Sequence, residues 1–65
     1  MSVKYDKLFQ LLHERKIKDI ELTREAGFSG NIMTRIRRNN YVSLESIEKI
    51  CKVLDCKVDE VIEFD

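Results

Sequence analysis

Apolar residues recur along this chain in short helical stripes separated by polar punctuation. Tyr5, Leu8, Phe9 and Leu12 fall at i, i+3, i+4 and i+7, and Leu11 widens the stripe. That spacing predicts an amphipathic helix over about Tyr5 to Arg15, with Arg15 and Lys16 suiting the negative end of its dipole. A second helix is predicted from about Asp19 to Ala26. Ile17 and Leu22 have the spacing of a hydrophobic staple, and Glu21 stands where a capping box places its acid. Lys18 is a poor capping residue, so a slightly frayed start is expected. Gly27 then ends the helix in the left-handed conformation that glycine favours.

A third helix is predicted with Ser29 as N-cap, running to about Arg38, where Asn39 and Asn40 tolerate a left-handed stop. A fourth begins at the N-cap Ser43, carries Leu44, Ile47, Ile50, Cys51 and Leu54 as its stripe, and ends at Asp55 with Cys56 tucked back. Glu45 in its first turn suits the dipole. A short fifth helix is expected from about Val58 to Phe64, with Val61 and Ile62 facing inward. No strand is expected. The fold class is therefore all-α: one compact five-helix domain over residues 1–65. The glycine-containing turn Gly27-Phe28-Ser29 between the second and third helices is the signature of a helix-turn-helix.

The third helix carries the candidate chemistry. With Ile32 at 0° and about 100° per residue, Ile36, Ser29 and Met33 fall at about 40°, 60° and 100°, defining a buried face centred near about 50°. Thr34, Arg38 and Asn31 fall at about 200°, 240° and 260°, pointing away from the core, with Arg37 and Arg35 on the flanks at about 140° and 300°. These residue types match base edges in a DNA major groove. Arginine grips guanine and asparagine grips adenine with two hydrogen bonds, and a threonine methyl touches thymine. Gly30 has no side chain, so the helix start can approach a phosphate closely. A basic exposed face is also what a merely solvated helix shows. The preceding turn, the staple and the lack of any acid between Glu25 and Glu45 favour DNA.

Charge sharpens this picture. The 65 residues carry 12 basic and 12 acidic groups, a net charge of zero. Residues 15–38, however, hold seven basic groups against three acids, and residues 43–65 hold three against seven, so the chain is a charge dipole of about +4 and −4. The third helix lies in its positive part.

Other chemistries find little support. With 43% hydrophobic residues, no proline and only two glycines, the composition suits a small helical domain rather than a disordered segment. No apolar run approaches the roughly 20 residues of a membrane span, and the N-terminus lacks the apolar core of a signal peptide, so a cytoplasmic location without a membrane is expected. Cys51 and Cys56 do not have CxxC spacing, and His13 is far away, so no metal site is expected and the thiols read as reduced and buried or half-buried. His13 itself reads as an exposed surface residue. No nucleophile stands beside a His–acid pair and no glycine-rich phosphate loop exists, so neither an enzyme nor a cofactor is expected.

The segments Leu22-Thr23-Arg24-Glu25-Ala26-Gly27-Phe28-Ser29, Met33-Thr34-Arg35-Ile36, Val42 to Cys56 and Val61-Ile62-Glu63-Phe64 occur in an order and spacing that resemble the Cro/repressor (XRE-like) family of helix-turn-helix transcriptional regulators. The similarity covers nearly the whole chain and is greatest to the small stand-alone branch common in Gram-positive bacteria and mobile elements. It implies a lambda-repressor-like domain that regulates transcription, most often as a repressor, by binding operator DNA as a homodimer or on paired half-sites. It implies base contacts from Ser29, Asn31, Thr34, Arg35 and Arg38, and phosphate contacts from Lys18, Asn40, Tyr41 and Ser43. Gly30 and Arg37 join the phosphate set from their places on the third helix. Three positions depart from the family pattern: Thr23 replaces a small residue, Lys18 a polar capper, and Asn39-Asn40 a glycine. Thr23 is expected to loosen helix packing slightly. No small-molecule effector domain is expected. The rival reading is a protein-interaction module, or an antitoxin-like partner, built on the acidic C-terminal part with Val61, Ile62 and Phe64.

Overall fold

The computed structural model describes residues 2–65. Its elements, in chain order, are β1 (Val3–Lys4), α1 (Asp6–Glu14), α2 (Asp19–Ala26), α3 (Gly30–Arg37), α4 (Leu44–Leu54), a 3-10 turn (Val58–Glu60) and β2 (Glu63–Phe64). Among the described residues four α-helices are therefore present rather than five. The expected fifth helix is only the 3-10 turn, and the chain then extends into β2, which pairs antiparallel with β1 in the register Val3↔Phe64 and Lys4↔Glu63. Residues Val61-Ile62-Glu63-Phe64 place apolar groups at spacings that fit either a helical turn or an extended segment. Pairing with a strand at the opposite end of the chain decides the matter, and local periodicity does not register such a partner.

The four helices stop in one way. Each ends at a residue in the left-handed region: Lys16 (φ 58°), Gly27 (φ 73°), Asn39 (φ 57°) and Asp55 (φ 49°). The amide of the following residue then reaches back to a carbonyl five residues earlier. Ile17 donates to Leu12 at 2.9 Å, Phe28 to Thr23 at 3.0 Å, Asn40 to Arg35 at 2.9 Å and Cys56 to Cys51 at 3.1 Å. This is the Schellman arrangement, which satisfies carbonyls that a helix end would leave orphaned. Only one of the four left-handed residues is glycine, so three positions accept the backbone penalty of a side chain, roughly 1–2 kcal/mol each. A Cβ on Gly27 would meet no atom within 4 Å, so conformation and not space is what calls for glycine there.

Helix starts are less uniform. Ser43 caps α4, its Oγ accepting the Ser46 amide at 3.1 Å. Ser29 occupies the N-cap position of α3 but makes no side-chain capping bond. At α2, Glu21 accepts the Lys18 amide at 3.2 Å; the reciprocal half would need an acceptor, which an ammonium does not offer. Thr23 is half-buried and turns its hydroxyl back to the Asp19 carbonyl at 2.8 Å.

The core gathers Val3, Tyr5, Leu8, Leu12, Leu22, Met33, Ile36, Ile47, Ile50, Leu54 and Val61. Three positions expected to be buried are corrected. Leu44 is 78% exposed. With Ile47 at 0°, the buried Ile50 and Leu54 lie at about −60° and −20°, so Leu44 at about 60° falls well to the side of that face. Ile32 is only half-buried, and Ser29 is exposed. The buried face of α3 is thus set by Met33 and Ile36, near about 70° rather than 50°. At the bottom of the core, the Arg15 guanidinium donates to the Leu54 carbonyl, fastening α1 to the last turn of α4.

Cys51 and Cys56 are free, half-buried thiols and form the side-chain pair across the Schellman end of α4. Burial, and then the neighbouring Cys51, push the Cys56 thiol up from 9.0 to about 11. The unfolded chain therefore ionises this thiol first as pH rises. Stability is expected to fall between about pH 9 and 11, and Cys56→Ala should make that fall shallower in denaturant titrations. Leu22→Ala is expected to cost about 2–5 kcal/mol, whereas Leu44→Ala should cost under about 0.5 kcal/mol, both read from chemical denaturation.

Candidate nucleic-acid interface

Helix α3 is held against the core by Met33 and Ile36 and enters from α2 through the Gly27 reversal, with Phe28 half-buried in the turn. Its remaining face is free. Ser29, Asn31, Thr34, Arg35 and Arg38 are all exposed, as are Lys18, Gly30, Arg37, Asn40, Tyr41 and Ser43. The rotation of the buried face toward about 70° moves the most outward direction to about 250°. Arg38 and Asn31 lie within about 10° of it, on either side, and Thr34 stands further round. Thr34 donates its hydroxyl proton to the Gly30 carbonyl at 3.1 Å, which leaves its methyl and oxygen lone pairs for contact. No side chain covers Gly30, and open space lies where its Cβ would be.

The flanking cations differ from each other. Arg37 does not stand free, as expected for a phosphate ligand; it is bound to Asp19. Its Nε donates to Asp19 Oδ2 at 3.1 Å, and Nη2 donates to the same oxygen. This pair joins the last turn of α3 to the first turn of α2, beside Lys18. The hydrogen bond from Arg37 holds the Asp19 carboxyl below its usual range. Among the described residues, no other cation of 15–38 sits in an ion pair, so Lys18, Arg35 and Arg38 remain available to an anion.

The loop after α3 is anchored from the N-terminus. Tyr5, buried at the start of α1, donates its hydroxyl to the Asn40 carbonyl at 2.6 Å. Burial, and then the neighbouring Tyr41, raise the Tyr5 pKa above its ordinary value. Asn40 and Tyr41 are thereby set beside the C-terminal end of α3, and Ser43 follows with its oxygen engaged in capping α4. Tyr5 and Asp19 are thus positioning residues that the sequence pattern did not single out. The signals were present: a tyrosine in an otherwise wholly apolar stripe needs a partner for its hydroxyl, and Asp19 is one of three acids in a basic segment. Among the described residues, no three or more His, Cys, Asp or Glu side chains come together to hold a metal, and no helix is long and apolar enough to cross a membrane.

Two helices joined by a tight glycine turn, with the second presenting a basic, acid-free face, define a helix-turn-helix DNA-binding module. The sequence pattern of the Cro/C1-type HTH DNA-binding domain matches residues 7–65, and the chain belongs to that family. No curated protein matches it. The crystal structure of transcriptional regulator VanUg superposes with a TM-score of 0.93 at 35% identity, covering 95% of this chain and 83% of that one.

Tyr5→Phe deletes the tie to the Asn40 loop while keeping the ring. It is expected to lower stability by about 0.5–1.5 kcal/mol. Amide exchange at Asn40 and Tyr41 should rise more than exchange within α2.

Proposed function

We propose that this domain is a transcriptional regulator, a repressor in its simplest form, that recognises a specific double-stranded operator by laying α3 in the major groove. One observation carries the reading: the outward face of α3 offers Asn31, Thr34, Arg35 and Arg38 with no acid between Glu25 and Glu45. Ser29, Asn31, Thr34, Arg35 and Arg38 take the base contacts. Lys18, the open helix start at Gly30, Asn40, Tyr41 and Ser43 take the phosphates. Arg37 enters the phosphate set only by leaving Asp19. VanUg is a transcriptional regulator, and the likeness of this chain to it supports the regulatory role.

The operator is bound by two copies. A groove lined by Tyr41, Leu44, Ile62 and Phe64 lies beside the phosphate-facing loop, and the exposure of Tyr41, Leu44 and Phe64 (63%, 78% and 60%) supports its use as the contact between copies. The same exposure is what favours the second reading, a protein-interaction or antitoxin-like role for the acidic C-terminal part.

The chain is expected to bind duplex DNA with affinity that falls steeply as salt rises. Selection from random duplexes, followed by sequencing, should return one motif whose repeat spacing gives the half-site geometry; a flat salt response with no enrichment would favour the protein-interaction reading. Arg38→Ala or Asn31→Ala should cost about 1–3 kcal/mol and relax specificity at one or two positions, whereas Lys18→Ala should weaken all sequences alike.

A further inference from the structure

We propose that Asp19 sets the strength of sequence-independent DNA binding: its carboxylate holds Arg37 away from the DNA backbone and so withholds one phosphate contact. The inference rests on the DNA-binding reading above. Arg37 lies at about 140° on α3, on the flank turned toward α2 rather than on the outward face. Its guanidinium is taken up by Asp19 Oδ2 through Nε and Nη2, while Arg35 and Arg38 in the same turn have no ion-pair partner among the described residues. A carboxylate oxygen and a phosphodiester oxygen offer a guanidinium the same kind of charged acceptor. Asp19 therefore competes with DNA for one cation.

Transfer of Arg37 from Asp19 to a phosphate carries a cost. Moving Arg37 onto a phosphate would strand the Asp19 carboxylate at the start of α2, beside Lys18, where it would face the backbone and repel it. Both the pair and the partial positive charge of the α2 N-terminus stabilise the carboxylate where it is. A phosphate contact strengthens every sequence equally. Withholding one lowers binding to operator and random DNA alike, without touching the base contacts of Asn31, Thr34 and Arg38, and so sets how strongly the domain holds any duplex rather than which one it prefers. The pair also links the last turn of α3 to the first turn of α2.

The test measures binding of the whole chain to its selected duplex and to a random duplex of equal length across a salt series. The proteins are wild type, Asp19→Asn, Arg37→Ala and the double variant. Asp19→Asn is expected to bind the random duplex several-fold more tightly at low salt. The slope of log affinity against log salt should steepen by about 0.9, the signature of one added phosphate contact. The selected duplex should gain by the same factor, so the operator-to-random ratio should stay unchanged. In the Arg37→Ala background the same Asp19→Asn change should add no slope. An unchanged slope in Asp19→Asn overturns the proposal, and so does an equal steepening with and without Arg37, which would mean simple removal of a negative charge. Asp19→Ser, a residue suited to helix starts, repeats the comparison if melting shows that the amide disturbs α2. Wild type that binds no duplex would overturn the DNA reading itself, whereas wild-type binding with a silent Asp19→Asn overturns this assignment alone.

Discussion

The reversal at Gly27 is the constraint on which the working part of this domain depends. A left-handed residue there lets the Phe28 amide close on the Thr23 carbonyl and drops Phe28 against the core. That closure sets where α3 starts and which way it leaves α2. Once the start is set, Met33 and Ile36 can reach the core only in one rotation of the helix, and the outward direction follows from that rotation. The same Schellman device ends the other three helices, with a lysine, an asparagine and an aspartate in place of glycine. In a chain of 65 residues with no proline, reversals of this kind replace long loops, and nearly every residue between helices closes a hydrogen bond.

Helix α2 could be read from the sequence to its terminal residues, because staple, acid at the third position and glycine stop are all local signals. The capping of α4 by Ser43 was legible for the same reason. The C-terminal segment was not. Val61 and Ile62 look the same to a short-range pattern whether the chain coils or extends, and the partner that decides, Val3-Lys4, lies at the opposite end of the chain. Leu44 fitted the stripe of α4 by spacing yet lies beside the buried face, since a stripe wide enough to include it is wider than the surface α4 covers. On the interface, the outward set on α3 followed from angles alone. The partners of Arg37 and Tyr5 did not, because both are contacts between elements distant in sequence.

Neutral overall charge and a basic exposed face on α3 coexist here because the acids are placed elsewhere, mostly after residue 43. The exception is Asp19, which stands among the cations and is matched to one of them. A surface ion pair contributes little to stability, typically under about 1 kcal/mol. Its interest in this molecule lies in the cation it occupies and in the two helices it connects.

The pairing of β1 with β2 also has a mechanical meaning. The Asp65 amide reaches the Ser2 carbonyl at 2.8 Å, so the two ends of the chain leave the domain side by side. A pull applied between them loads a ladder of only two residue pairs in shear or in peel before it loads any helix. The residue that follows β1 is Tyr5, whose hydroxyl holds the Asn40 loop. The two-pair ladder is therefore a short mechanical link between the chain ends and the loop that follows α3.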